Sequence, residues 1–231
     1  MMLLRVLFCV VFCTSAVLAQ SPQEFMFLPE PMESGDMRFM LGSTITFVPR
    51  PIAEEEIRQI PAIDIRTRFG LPLGLSLLAN VNSNYITNVG TLGAQWSVDV
   101  LGVSVAIGDK HSIWYGIATL DGFDVDAIGW FNSPHVSVGT SFGEIHTSLT
   151  GELLYLTSRS TRAGDVEVGA DANRVLGGSV ALYVEQPFVK RTHLVLGLKI
   201  NSLTSAYQSW LAFATFGDRL FYPEFTVGVL L

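Results

Sequence analysis

The chain has 231 residues, of which 49% are apolar and only 15% are charged, and its mean hydropathy is +0.40. An average soluble protein carries roughly 25% charged residues, so a water-soluble domain of this composition would have difficulty covering its surface. The formal net charge of −7 leaves no basic footprint for phosphates, and we therefore expect no nucleic-acid binding. The length suits a single domain.

Residues 1–19 have the features of a secretory signal peptide. Arg5 precedes a short apolar run, and the small residues Val17 and Ala19 precede the expected cleavage site. Cleavage after Ala19 removes both cysteines, Cys9 and Cys13, so the exported part cannot depend on disulfides or on a thiolate metal site. Neither cysteine follows a small residue, which a lipid-anchored form would need.

The rest of the chain is apolar but has no uninterrupted apolar run of roughly 18 residues, so transmembrane helices are not expected. A closed barrel is the other structure that pairs every backbone group inside a bilayer. We therefore predict an all-β fold, a closed antiparallel transmembrane β-barrel of about 10–12 strands. A soluble secreted β-sandwich, which would also alternate polar and apolar residues, stays open as the alternative.

After the predicted signal peptide comes an N-terminal lead, residues 20–36, which contains three prolines and three glutamates. It is predicted as an irregular segment on the periplasmic side, and the barrel is predicted over residues 37–231. Within that range apolar and polar residues alternate with period two, as in strands. The clearest such segments are Phe39–Phe47, Ile63–Phe69, Ile145–Tyr155, Leu194–Ile200 and Phe221–Leu231.

Turn signals divide the barrel region. Short turns are predicted at Gly70–Gly74, Asp99–Gly102, Phe142–Gly143 and Gln186–Lys190. Longer connections are predicted at Val48–Gln59, Asn80–Asn88, Gly116–Ile128 and Thr157–Asn173. This alternation places the short turns at one rim and the long ones at the other. It favours ten strands, or twelve if Ala206–Phe216 holds two more.

Aromatic residues are predicted near the strand ends, where amphipathic rings favour the membrane interface. Their being simply common in strands is an equally good explanation. The residues concerned are Tyr85, Trp96, Trp114, Tyr115, Trp130, Phe131, Trp210, Phe221 and Tyr222.

The chain resembles bacterial outer-membrane β-barrel proteins as a broad class. The resemblance rests on the signal peptide, the alternation of apolar and polar residues, and a last segment whose pattern is typical of a strand. The resemblance covers residues from about Met37 to Leu231. It implies residence in the bacterial outer membrane, contact with its lipid, and insertion by the barrel-assembly machinery. In that class the last strand ends in an aromatic residue; Phe225, Val227 and Val229 fit the pattern, whereas Leu231 departs from it. Architecture alone does not give a function.

Three functions remain open at this point. The first is a narrow pore or transporter for small solutes, because charged residues on the lumen face can line a water-filled path. The same charges can instead pair and plug a narrow barrel. The candidate lining residues are Asp64, Arg66, Arg68, Glu152, Lys199 and Glu224, with the row Asp64, Arg66, Arg68 as the preferred one.

The second is a lipid-modifying enzyme. His146 and Ser148 share one face of a strand with Glu144 and Glu152, and a His–Ser pair with a carboxylate is a constellation for acyl transfer. It is similar to the His-x-Ser pair of outer-membrane lipid A deacylases, whose pair faces the lipid. Here Ile145, Thr147 and Leu149 make the better lipid face, so we expect the pair to point inward and to fill the lumen. An enzyme is not expected.

The third is a structural or partner-binding barrel that acts through its loops. The two longest predicted connections contain acidic residues, for which solvated charge is the ordinary explanation. These residues are Glu54–Glu56, Asp165, Glu167 and Asp171. No metal site or cofactor is expected, because His111, His135, His146 and His193 lie far apart in sequence and match no ligand spacing.

Overall fold

The computed structural model describes residues 25–48, 59–120, 123–189, 192–205 and 219–231. The predicted signal peptide, Glu54–Glu56 and Ala206–Phe216 lie outside these ranges. No helix in the described residues is long and apolar enough to cross a membrane. The strands are β1 (Met37–Phe47), β2 (Gln59–Gly70), β3 (Leu75–Ser83), β4 (Thr87–Val100), β5 (Val103–Leu120), β6 (Phe123–Asn132), β7 (His135–Phe142), β8 (Ile145–Ala163), β9 (Val166–Val189), β10 (Thr192–Leu203) and β11 (Leu220–Leu230), with one 3-10 turn at Pro72–Gly74.

The sheet closes on itself. Strand β1 pairs with β2 on one side and with β11 on the other, and every pairing is antiparallel. Strands β6 and β7 share one position, since both pair with β5 and with β8 in sequence. Ser133 and Lys110 exchange backbone hydrogen bonds of 2.7 and 3.2 Å across the interruption, which keeps the register at Pro134. The result is a closed ten-position barrel, which confirms the predicted fold and count and rules out the β-sandwich.

The exterior of the barrel is apolar. One row crosses five strands in register and consists of Val138, Leu149, Leu182, Leu198 and Phe225, each 37–52% exposed. On each of these strands the residues directly before and after the row point inward. Polar or small examples are Thr150, beside Leu149, and Gly197, beside Leu198. This arrangement is the reverse of a water-soluble protein and matches a barrel surrounded by lipid.

The connections define two rims. The lead rim carries residues 25–36 and the connections at 71–74, 101–102 and 143–144, where three of the four predicted short turns fall. The fourth prediction, Gln186–Lys190, is wrong in its bounds, because β9 continues to Val189 at the same rim. Leu101 and Gly102 have positive φ values of 53° and 83°, the backbone of a tight two-residue hairpin turn. The opposite rim is called the distal rim below.

Three of the four predicted long connections are wrong. Strand β5 runs to Leu120 and β6 begins at Phe123, while β8 and β9 are joined through residues 164–165 alone. The Asn80–Asn88 connection shrinks to residues 84–86, and most of the fourth, Val48–Gln59, lies outside the described residues. Strand pairing continues beyond the apolar band, where both faces of a ribbon can be polar and the alternation signal disappears. The acidic residues Glu167 and Asp171 therefore lie on a strand, where Asp171 pairs with Arg159 and Arg174.

The aromatic residues divide into two groups. Tyr85, Trp96, Tyr115, Trp130 and Phe221 are exposed on the outside, consistent with an interface position. Trp114, Phe131 and Tyr222 are buried inside the barrel, so the interfacial prediction is wrong for these three. Trp114 packs on Gly129, where any Cβ would clash with its indole, and the missing side chain opposite is what admits so large a ring.

We expect the exterior row to control insertion. Leu149→Arg should lower the free energy of unfolding in lipid vesicles by about 2–4 kcal/mol, because the charge would lie near the centre of the apolar band. The matched control is Val166→Arg at the exposed end of the β8–β9 ribbon, which should cost about 0–1 kcal/mol. Urea titration of the folded, vesicle-inserted chain measures both. Equal costs would contradict the assigned membrane position.

Candidate functional site

The described part of the N-terminal lead packs inside the barrel at the lead rim. Residues 25–36 have no regular strand or helix, yet Phe25 and Leu28 are each 3% exposed and Pro29 is fully buried. The sequence predicted an irregular segment, and it gave no reason to place that segment in the lumen. The lumen at this rim is therefore occupied by the chain itself.

Glu185 on β9 holds the lead by its backbone. Its buried carboxylate accepts hydrogen bonds from the backbone N–H groups of Met26, Phe27 and Leu28, at 2.6, 2.9 and 2.9 Å. Charge-assisted hydrogen bonds of this kind are about twice as strong as neutral ones. Three consecutive donors on one carboxylate fix the direction and register of the lead.

Two arginines hold the carbonyl groups of the same segment. Arg68 donates to the carbonyl oxygens of Leu28 and Glu30 at 2.7 and 2.5 Å, and Arg38 donates to that of Phe25 and to the Glu30 carboxylate. Together with Glu185 they form a clamp that pairs both the donors and the acceptors of the lead backbone. A buried segment without regular structure needs such partners, because orphaned backbone groups are costly.

The side chains of the lead make aromatic contacts. The Phe27 ring stacks on the Tyr183 ring with centroids 3.7 Å apart. The guanidinium of Arg66, on β2, lies 4.9 Å from the Phe27 ring centroid. Tyr183 in turn lies over Gly197, where a Cβ would come within 2.6 Å of the ring. The Phe27 ring packs against Tyr183 and Arg66, and these contacts hold the lead in addition to its backbone hydrogen bonds.

A glycine makes room for the lead. A Cβ at Gly139 on β7 would lie 2.6 Å from Pro29 Cδ and 2.8 Å from Leu28 Cδ1. A side chain there would occupy the volume that the lead fills. The neighbouring strand carries Gly151, where a Cβ would meet nothing within 4 Å.

Glu30 is the titratable group of the lead in this clamp. Burial raises the pKa of its carboxyl above the ordinary value, while the positive charge of Arg38 opposes that shift. The contribution of Glu30 by itself therefore favours the seated lead as the pH falls towards the raised pKa of its carboxyl, and it is lost as the pH rises above that pKa.

The six predicted lumen-lining residues all point into the barrel, in three places. Asp64 is fully buried and accepts hydrogen bonds from Arg66 at 2.9 Å and from Asn80. Arg68 belongs to the clamp, away from this pair. The structure therefore separates the predicted row, since one arginine pairs with its own strand and the other with the lead.

The other three predicted residues lie nearer the distal rim. Glu152 accepts from Lys199 at 2.9 Å and from Lys110, so two lysines share one carboxylate. Glu224 lies opposite Lys199 in the β10–β11 register and accepts a hydrogen bond from Thr46 at 3.2 Å. Whether any of the six lines a conducting path stays a prediction.

Two adjoining cavities occupy the middle of the barrel. Their volumes are about 100 and 120 Å³, and they share Arg66, Asn80, Lys110, Glu152 and Tyr183 as lining residues. The first reaches Phe27 of the lead, and the second extends towards the distal rim. The lead rim is thus filled by protein, and the open space lies beyond it.

Sequence reasoning missed several residues of this site, although the alternation contained them. Glu185 continues the inward row that includes Ser179 and Ala181, and Lys110 continues the row from Ser104 and Ala106. Extending each row by two inward positions, which is four residues along the strand, would have found them. The signal for the lead was weaker, because its apolar residues precede the first strand and follow no period.

No group of three or more His, Asp or Glu side chains in the described ranges could hold a metal ion. His135 lies at the cavity, whereas His146 stacks under Phe25 with ring centroids 3.6 Å apart. His146 and His193 both touch the Phe25 ring and so serve the lead.

Comparison with known proteins gives structural neighbours alone. No protein-family model matches, and no curated protein matches the sequence. The translocator domain of the autotransporter NalP from Neisseria meningitidis aligns over 86% of this chain and 88% of its own, at 10% identity and a TM-score of 0.46. An active-site mutant of outer membrane phospholipase A from Escherichia coli aligns over 92% and 94%, at 14% identity and a TM-score of 0.40. A mutant porin from Rh. blastica aligns over 85% and 99%, at 8% identity and a TM-score of 0.22.

These neighbours are outer-membrane β-barrels. Their identities and TM-scores are too low to carry an activity over to this chain.

Gly139→Val should displace the lead, because the new side chain would overlap Leu28 and Pro29. The mature chain would contain no cysteine if cleavage follows Ala19, so a single Leu28→Cys reports accessibility to a water-soluble maleimide. We expect labelling to be slow in the otherwise unchanged protein and at least about tenfold faster with Gly139→Val, since overpacking costs roughly 1–3 kcal/mol. Gly151→Val is the matched control and should leave the rate unchanged. Equal rates in all three would contradict the seated lead.

Proposed function

We propose that the chain is a bacterial outer-membrane barrel that carries small solutes through its lumen and is closed at the lead rim by its own N-terminal segment. The lead rim faces the periplasm in this proposal, because the lead follows the exported signal peptide and the short turns cluster there. The β8–β9 ribbon then extends away from the cell.

The observation that carries the proposal is the clamp. Glu185, Arg38 and Arg68 hold the lead through polar groups that a permanently packed apolar core would not need. A barrel with a purely structural role could fill its lumen with apolar side chains alone. Hydrogen bonds to the backbone of the lead, by contrast, can be exchanged for hydrogen bonds to water when the lead leaves the lumen. The central cavities then supply the volume for a solute beyond the closed rim.

The paired charges limit what such a path could pass. Asp64 with Arg66, and Glu152 with Lys110 and Lys199, narrow the lumen at mid-height. A ten-position barrel is far below the roughly sixteen strands of wide aqueous porins. The proposed solute is therefore small, and the rate of passage should depend on whether the lead is seated.

Replacement of Glu185 tests the closure. Glu185→Gln keeps the side-chain size but removes the charge that three backbone N–H groups share, so the open probability in planar bilayers should rise about tenfold or more. Glu144→Gln, in the exposed turn at the same rim, is the matched control and should behave as the unchanged chain. A variant that is folded by heat-modifiability on gels but stays silent would refute closure by the lead.

We propose no catalytic role for His146 and Ser148. The His146 imidazole lies under Phe25 and its Nδ1 is hydrogen-bonded with Ser141 Oγ at 2.7 Å, and the described residues offer no hydrogen bond between His146 and Ser148. A nucleophile and its base need that bond and an open path to substrate.

The corresponding expectation is that the vesicle-inserted protein hydrolyses phospholipid and p-nitrophenyl esters no faster than empty vesicles. Ser148→Ala should give the same background. Hydrolysis by the unchanged chain that Ser148→Ala abolishes would instead establish the enzyme.

A further inference from the structure

One part of the barrel exterior is polar although it lies among apolar residues. Asp109 and His111 on β5 face outward, with side chains 46% and 55% exposed. On the same face of the strand Ile107 precedes them and Ile113 follows them, at 58% and 52% exposed. The outward face of β5 therefore passes from apolar to ionisable and back to apolar.

The two ionisable residues lie within the length of strand that crosses a membrane. They are the seventh and ninth residues of β5, counted from Val103 at the lead rim. A tilted strand needs about 9–11 residues to cross the hydrocarbon. The outward face stays apolar further along, at Tyr115 and Ile117. Because an ionisable side chain is costly in contact with hydrocarbon, such residues ordinarily have a partner.

Contacts within the chain satisfy this pair only in part. His111 Nδ1 donates a hydrogen bond to Asn132 Oδ1 at 2.6 Å, and Asn132 Nδ2 donates to Thr157 Oγ1 at 3.2 Å. His111 Nε2 lies 3.7 Å from Asp109 Oδ2, which is longer than a hydrogen bond. Among the described residues, this ring nitrogen and this carboxylate oxygen therefore both face outward without a hydrogen bond.

Small residues adjoin the polar pair on β4. Ala94 lies opposite Asp109 and Gly90 lies opposite Ile113 in the β4–β5 register, and both are exposed on the outer face. A Cβ at Gly90 would meet nothing within 4 Å, so the surface there is open. Apolar surface gives no driving force for association inside a bilayer, where spanning segments associate through close packing at small residues and through polar contacts. Both features lie side by side here.

The outer patch, defined as Gly90, Ala94, Asp109, His111 and Asn132, is complementary to itself. A carboxyl and an imidazole share one proton in a hydrogen bond, whichever of them holds it. In a twofold dimer residue i of each copy meets residue j of the other, so a single interface would form two His111–Asp109 contacts. The two residues are only roughly 7 Å apart along the strand, which lets both lie beside one symmetry axis.

A second copy of the chain fits the patch better than a lipid head group does. Head groups lie outside the hydrocarbon region, whereas Asp109 and His111 are flanked by apolar residues on both sides. A second copy inserted in the same membrane presents the same carboxyl and the same imidazole at the same depth.

We propose that the outer patch is the interface of a homodimer in the membrane, in which His111 of each copy pairs with Asp109 of the other. Gly90 and Ala94 allow the two walls to approach closely. The inference goes beyond the proposed function, because the patch lies outside the lumen and touches neither the lead nor its clamp.

The test measures energy transfer between donor- and acceptor-labelled copies of the full mature chain in lipid vesicles, as a function of lipid dilution. The label is attached at Glu144→Cys, in the exposed turn at the lead rim. His111→Leu and Asp109→Leu should each raise the dimer dissociation constant at least about tenfold, since two polar contacts are lost per dimer. Ser43→Leu is the matched control, because it removes an exposed polar group from β1 on the far side of the barrel and should leave the dissociation constant unchanged.

A mixture of the two variants isolates the contact between copies. A His111→Leu copy keeps Asp109 and an Asp109→Leu copy keeps His111, so a mixed dimer retains one contact whereas each variant by itself retains none. The mixed dimer should therefore dissociate with a constant about threefold lower than that of either variant alone, the effect of one polar contact in lipid. A loss of stability within each barrel would not produce this difference.

Cross-linking locates the interface on the barrel wall. Ile113→Cys, at the edge of the outer patch, should give a covalent dimer with a short bis-maleimide. Val227→Cys on β11 is the matched control, since it is 51% exposed on the opposite side of the barrel and should stay monomeric. Heat-modifiability on gels identifies the variants that have folded, and only these are compared.

The proposal is overturned if the unchanged chain is monomeric at every lipid dilution, including a monomer that retains a bound lipid at the patch. It is also overturned if both folded leucine variants dimerise as the unchanged chain does, or if Val227→Cys cross-links and Ile113→Cys does not. A mixed dimer no tighter than the single-variant dimers would refute the His111–Asp109 pairing. None of these results bears on the closure of the lead rim, which Glu185→Gln tests separately.

Discussion

Inside a bilayer no water pairs with an exposed backbone group, so every strand must find two neighbours within the chain. The pairing of β1 with β11 meets that demand, because it joins the first strand to the last and removes both sheet edges. Closure fixes which side chains face lipid and which face each other across a narrow lumen. Since ten positions leave little interior width, the inward charges of the described strands lie near other charges or near the lead.

That crowding explains how the interior is divided. The charged groups of the lead rim are compensated by an inserted peptide segment, with Glu185 on its amides and Arg68 on its carbonyls. The groups at mid-height compensate one another around Glu152. In the distal half the described residues form an uncharged cluster of aromatic and aliphatic side chains. The lumen therefore holds three different arrangements and not one uniform plug.

The alternation in the sequence was sufficient for much of this. It predicted a closed antiparallel barrel, the apolar exterior at residues such as Leu149 and Leu198, and short turns at one rim. It also put Asp64, Glu152 and Lys199 on inward faces. It failed for the distal connections, because the β8–β9 ribbon continues where neither face needs to be apolar. It failed for Trp114 and Tyr222 as well, since period two assigns a face but cannot say that a buried lumen face will be apolar.

What the sequence determined by itself is local: the period of each strand, the turn residues, and the scarcity of charge that favours a lipid surface. Which inward residues meet was decided by the tertiary structure, because lumen partners such as Met26 and Glu185 are separated by 159 positions along the chain. The same holds for the lead, whose apolar residues have no strand period and become buried only because the closed barrel leaves a lumen for them. Closure into a narrow barrel brings inward residues of several strands together, and it thereby forms the clamp and the Glu152 carboxylate that Lys110 and Lys199 share.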